Sequence, residues 1–218
     1  MKIFIKNLKN KLLITLFIYF FVFNHNCFAA RFLVAGGFNF SNLEYSSTSD
    51  SDAKAQPKAG SSLGAQVEWP FDFDRFSFDL GFFLMTRSIR WSDGNNIGSK
   101  DSILFAKLPF GVKYYLNSFV NFGLGLYGAR SLSNVYRLEA SGDKSQIKGA
   151  TYGLPAFEWG GYGVVDIHLP IQESGIGIIG EYRYYKSFSN GISSDSASGK
   201  FVDHEFLIGV RFGKLEIR

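Results

Sequence analysis

Between Arg31 and Phe212, polar and apolar residues alternate one for one through eight separate stretches, and the links between them run long, short, long, short. A period of two marks a strand whose two faces meet different surroundings. The first stretch sets Phe32, Val34, Phe38 and Phe40 against Ala35, Gly37, Asn39 and Ser41. The second sets Leu63, Ala65, Val67 and Trp69 against Gly64, Gln66 and Glu68, and the last sets Phe206, Ile208, Val210 and Phe212 against Glu205, Gly209 and Arg211. Strands of this kind joined by tight links predict an all-β fold, an eight-stranded antiparallel up-and-down barrel that closes without a free edge. Long links are expected at about 46–60, 92–102, 133–157 and 187–199.

Alternation alone does not say which face is inside. One face is crowded with Phe, Leu and Trp; the other is rich in glycine and carries charges of both signs. Eight strands enclose little more than side-chain volume, so the small and paired residues belong inside and the bulky apolar ones outside. Each stretch offers about 9 to 11 residues, enough to cross a bilayer when tilted by about 45°. The expectation is a transmembrane barrel, with Trp69, Phe71, Phe73, Phe76, Trp91, Tyr114 and Trp159 near strand ends as interfacial aromatics.

The chain opens with Lys2, Lys6, Lys9 and Lys11, then an apolar run from Leu12 to Phe23, then Cys27-Phe28-Ala29. That order reads as a secretory signal peptide over 1–29, with the barrel over 30–218. Without those four lysines the basic side chains match the 19 acidic ones, and the formal +4 falls to zero. No case for nucleic acid follows from charge. Cys27, the single cysteine, leaves with the leader, so disulfides and cysteine metal sites are not expected. No cofactor or metal motif is present.

On these residues the chain resembles the small eight-stranded bacterial outer-membrane proteins, the OmpX/Ail type and the transmembrane part of the OmpA type. The closing stretch carries the likeness best, with Phe206, Ile208, Val210 and a terminal aromatic at Phe212; Gly213 through Arg218 then continue out of phase, marking either a bulge or a tail that leaves the strand. The resemblance implies the bacterial outer membrane, insertion by the barrel-assembly machinery, contact with outer-membrane lipid and lipopolysaccharide, and a monomer. Long links outside and short turns inside the periplasm would put both termini in the periplasm.

Glu68, Asp72, Arg75, Asp79, Lys107, Lys113, Asp166, Glu181, Arg183, Asp203, Glu205 and Arg211 form a candidate lumen charge network. Two readings stay open: a pairing network that stiffens a filled barrel, or a narrow porin-like path for ions or small amphiphiles. Tyr136, Arg137, Tyr152 and Phe157 make the third long link the adhesive one, suited to a host or surface ligand. Surface recognition or envelope integrity is the expected role. His204 is the one residue that suggests a lipid-modifying enzyme of the PagL type, but Phe206 stands where that motif needs a serine. No catalytic residue is assigned, and an enzyme is not expected.

Overall fold

The alternating stretches become strands that close on themselves. A computed structural model describes residues 30–47, 53–71, 75–93, 96–148, 154, 157–171, 175–190, 192–194 and 197–213. The signal-peptide assignment to 1–29, Asp72, Tyr152 and the tail 214–218 lie outside the described residues. In chain order the strands are β1 (Arg31–Ser47), β2 (Ala53–Pro70), β3 (Phe76–Asp93), β4 (Asn96–Tyr115), β5 (Val120–Ser131), β6 (Val135–Glu139), β7 (Lys144–Ile147), β8 (Glu158–Ile171), β9 (Ile176–Ser187), β10 (Ile192–Ser194) and β11 (Ala197–Phe212).

Eight of them form a ring in the order β1, β2, β3, β4, β5, β8, β9, β11, all antiparallel. Closure is visible at Phe32, which faces Val67 on one side and Phe212 on the other. The start of β1 and the end of β11 therefore sit at one end of the barrel, the terminal end. The tight turns lie there too. At one of them the Asn117 side chain accepts hydrogen bonds from the Phe119 and Val120 amides, both 2.8 Å, a local contact that fixes the reversal. Gly175 supplies a left-handed residue (φ 71°) just before β9. Gly213 (φ 107°) ends β11 in the same conformation, and its amide donates to the Gly175 carbonyl at 2.7 Å.

At the far end the connections are shorter than the sequence pattern suggests. The stretches 46–60 and 92–102 are largely strand, because β1 and β2 run on to 47 and from 53, and β3 and β4 to 93 and from 96. The reason is physical. Beyond the apolar belt the outer face of a strand no longer has to be apolar, so the alternation fades from the sequence, yet backbone pairing continues. β5 leaves β4 at Phe105↔Ser131, and β6 takes over at Ser102↔Tyr136, with β7 folded back on it. β1 and β2 part beyond Ser41↔Lys58, so the extension splits along that seam. Pro57 lies on the edge thus exposed, where its missing N–H costs nothing.

The barrel is inside-out relative to a soluble one. Leu124 and Ile208 are 74 % and 73 % exposed on the outside, amid a belt of Phe, Leu, Ile and Val, while arginine, lysine, aspartate and glutamate fill the centre. Glycine makes room for these interior groups. A side chain at Gly64 would run into the Phe83 ring, and one at Gly125 into the Tyr162 ring. Small and large residues thus interlock across neighbouring strands of the narrow lumen.

Candidate functional site

The lumen holds two charge clusters. Toward the terminal end, Lys113 on β4 reaches Glu68 on β2 (2.8 Å), Asp166 on β8 (2.7 Å) and Glu181 on β9 (3.1 Å). Arg211 adds contacts to Glu68 (3.0 Å) and Asp166 (3.4 Å), and the Tyr115 hydroxyl donates to Glu68 at 2.6 Å. Arg183 pairs with Glu181 and donates to Gln66 at 2.6 Å. Tyr162 donates across the barrel to Asp79 at 2.7 Å, and Arg31 lies 3.9 Å from Glu68. Four cations, Arg31, Lys113, Arg183 and Arg211, stand among four carboxylates, Glu68, Asp79, Asp166 and Glu181, so the cluster is balanced.

The second cluster lies toward the far end and is organised by Arg87 on β3. Its guanidinium holds Asp203 on β11 through Nε (3.1 Å) and Nη2 (2.6 Å), and Glu158 on β8 through Nη1 (2.6 Å) and Nη2 (2.9 Å). Lys107 also reaches Asp203 at 2.9 Å, and Tyr127 donates to Glu158 at 2.8 Å. Aromatic faces complete the enclosure: Arg87 lies over Phe105 and Phe201, and Lys107 over Tyr185, 3.6 Å from its centroid. The planar guanidinium reaches across the lumen from β3 and forks between carboxylates on β8 and β11, the two strands that flank β9. Between the clusters, Ser62 donates to Glu205 at 2.6 Å.

These bonds cross the lumen. Charges lining an open path would face a gap instead; here they are spent on one another.

An apolar layer lies beyond the Arg87 cluster. Leu43, Ile89, Ile103 and Phe201 pack there with Val135 and Leu154, two residues of the link between β5 and β8. That link therefore folds into the mouth. Buried Asp101 pins it, accepting the Arg137 fork (2.8 and 2.9 Å) and the Trp91 indole N–H (2.8 Å).

The structure brings Glu68, Asp79, Lys107, Lys113, Asp166, Glu181, Arg183, Asp203, Glu205 and Arg211 together in the lumen, all buried. Arg75 is a correction. It sits in the turn before β3 starts, outside the alternating register, where it is exposed and its Nη1 donates to the Tyr114 hydroxyl at 3.4 Å. Arg137 fastens β6 to β4 through Asp101 and keeps part of its side chain exposed. Tyr136 and Phe157 are exposed, at 51 % and 56 %. The pattern missed Arg31, Arg87 and Glu158. Arg87 was within reach, because the inward phase Asp79, Gly81, Phe83, Met85 continues to it.

His204 lies on the outer face, hydrogen-bonded through Nδ1 to the Tyr182 hydroxyl at 2.9 Å and beside the Tyr184 ring. Its sequence neighbours Asp203 and Glu205 point into the lumen, so neither can orient the imidazole. Among the described residues no group of three His, Cys, Asp or Glu side chains is placed to hold a metal.

No family model matches the sequence, and no curated protein matches it. Solved structures do. The chain superposes on the outer membrane protein OprG from Pseudomonas aeruginosa with a TM-score of 0.53 and 15 % identity, covering 86 % of this chain and 97 % of that one. Looser matches are Ail, the attachment invasion locus protein of Yersinia pestis (TM-score 0.42, 12 % identity, 84 % and 99 % covered), and the outer membrane protease OmpT from Escherichia coli (0.47, 8 %, 85 % and 96 %). Only the first is close enough to argue from, and at that identity it speaks for architecture alone. Together with the closed ring and the apolar exterior, it gives this chain the fold of the small outer-membrane β-barrel proteins.

Proposed function

We propose that this protein is a plugged barrel of the bacterial outer membrane, both termini in the periplasm, that acts through its far-end surface in recognition, adhesion or envelope integrity. The observation that carries the reading is Arg87 on β3, bound across the lumen to Asp203 on β11 and Glu158 on β8 beneath an apolar layer that includes Val135 and Leu154. An ion would have to strip these partners from each other in a narrow, buried space, which costs several kcal/mol. What remains available to partners is the strand extension outside the bilayer. Its ligands, whether outer-leaflet lipid or a host molecule, meet a paired sheet as well as loops, since most of the links 46–60 and 92–102 is itself strand.

Single-channel recording of the refolded mature chain in a planar bilayer tests this. Refolding is first checked by the heat-dependent gel shift typical of such barrels. A silent bilayer is expected. Steady, reproducible steps would overturn the reading and make the lumen a conduit for ions or small amphiphiles.

A further inference from the structure

The outer face of the extension carries cations that nothing in the fold uses. Arg90 on β3 faces Lys100 on β4 as a direct cross-strand partner; Lys100 faces Leu138 on β6, and Leu138 faces Lys144 on β7. Neighbouring strands lie about 4.8 Å apart, so this register sets Arg90 and Lys100 side by side and Lys144 about 10 Å beyond Lys100. All three share the outward phase, because the alternate positions Asp101, Ile103 and Val135 are buried inside. None of the three has a carboxylate partner among the described residues. Like charges directly opposite across a ladder destabilise it. Glu139 and Asp143 sit past the row, at the hairpin turn, where the Glu139 amide donates to the Asp143 carbonyl.

The row also borders a groove of about 490 Å³ lined by Lys100, Ser102, Tyr136, Leu138, Lys144 and Gln146. Its position along the barrel names the occupant. On β4 the outward residues are apolar from Val112 to Leu104; Ser102 and Lys100 follow at once. Four residues beyond Leu104, at about 3.3 Å each and a tilt near 40°, put Lys100 roughly 10 Å above the apolar belt, at headgroup level.

We infer that this groove holds the phosphorylated sugar headgroup of an outer-leaflet glycolipid. One phosphate bridges Arg90 and Lys100, relieving their opposition, and Lys144 reaches a second anionic group. The Ser102 hydroxyl and the Gln146 amide suit sugar hydroxyls, and Tyr136 offers a ring face. The inference rests on the proposal that the far end faces outward.

The test uses the refolded mature chain in phosphatidylcholine nanodiscs containing diphosphorylated lipid A, the same lipid dephosphorylated, or neither. Bound lipid is measured by titration and followed through the amide resonances of Ser102, Tyr136 and Lys144. The triple variant Arg90→Gln, Lys100→Gln, Lys144→Gln is compared with Lys58→Gln, Lys186→Gln, Lys200→Gln, which removes as much charge elsewhere on the barrel. The groove variant is expected to bind phosphorylated lipid A about tenfold more weakly, the control within about twofold, and neither protein to hold the dephosphorylated lipid. Equal losses in both variants, or retention without phosphate, would overturn the inference. So would glucose 1,6-bisphosphate binding as tightly as the lipid, since the groove would then serve a soluble sugar phosphate. Orientation is read separately from Ala140→Cys on intact cells, where labelling by an impermeant maleimide is expected. An unlabelled cysteine with lipid binding intact would overturn only the outward orientation, and channel steps with lipid binding intact only the plugged-barrel reading.

Discussion

At the scale of single residues, Arg87 carries more of this lumen than any other side chain. Arg87→Met leaves Asp203 with Lys107 alone and Glu158 with only the Tyr127 hydroxyl, both buried. Stranding a buried charge in this way is expected to cost about 3–5 kcal/mol, read as the shift in urea unfolding in lipid vesicles. Arg87→Lys keeps the charge but loses the fork, and it should fall between the wild type and Arg87→Met, because a single ammonium cannot reproduce the paired hydrogen bonds that the guanidinium makes to both Asp203 and Glu158. Gly64 makes the complementary case. A Cβ there would come 2.4 Å from the Phe83 ring, so Gly64→Val is expected to destabilise by about 1–3 kcal/mol through overpacking. A neutral result would mean that the ring and the Phe82 carbonyl, 2.3 Å from the same Cβ, can both shift, and that interlocking glycines do not set the packing.

At the scale of elements, the link between β5 and β8 divides its work. β6 and β7 extend the sheet, while Val135 and Leu154 enter the mouth of the barrel. Replacing residues 133–156 with a short turn leaves all eight ring pairings untouched, so the heat-dependent gel shift should persist. The same change uncovers the apolar layer above Arg87. It is expected to raise binding of an apolar fluorescent dye to the barrel mouth, and unchanged binding would show that Val135 and Leu154 cover nothing. The stretch 46–60 is another matter. Cutting it back would remove paired strand from both β1 and β2, so it cannot be trimmed as a simple loop.

At the scale of the whole molecule, the ring leaves no unpaired strand edge at the level of the apolar belt, and the free edges lie only on the extension above. A barrel so closed needs no second copy, and light scattering of the detergent-solubilised protein is expected to give a monomer. The sequence by itself determined the strand number, the face each residue takes and the inside-out exterior. A bilayer and a lumen impose opposite demands on alternate residues, and that demand is written into the chain one residue at a time. Leu33 inside and Phe32 outside follow from phase alone, as do ten of the fourteen buried Asp, Glu, Lys and Arg side chains among the described residues. Where that demand stops, legibility stops with it. The strands of the extension, Arg75 in its turn and the hairpin of β6 and β7 carry no alternation that a reader could follow. Which carboxylate Arg87 holds was likewise out of reach, because Asp203 and Glu158 lie 116 and 71 residues away in the chain. Partners across a lumen are set by how far each strand slides past the next before the ring closes, and only the tertiary structure decides that.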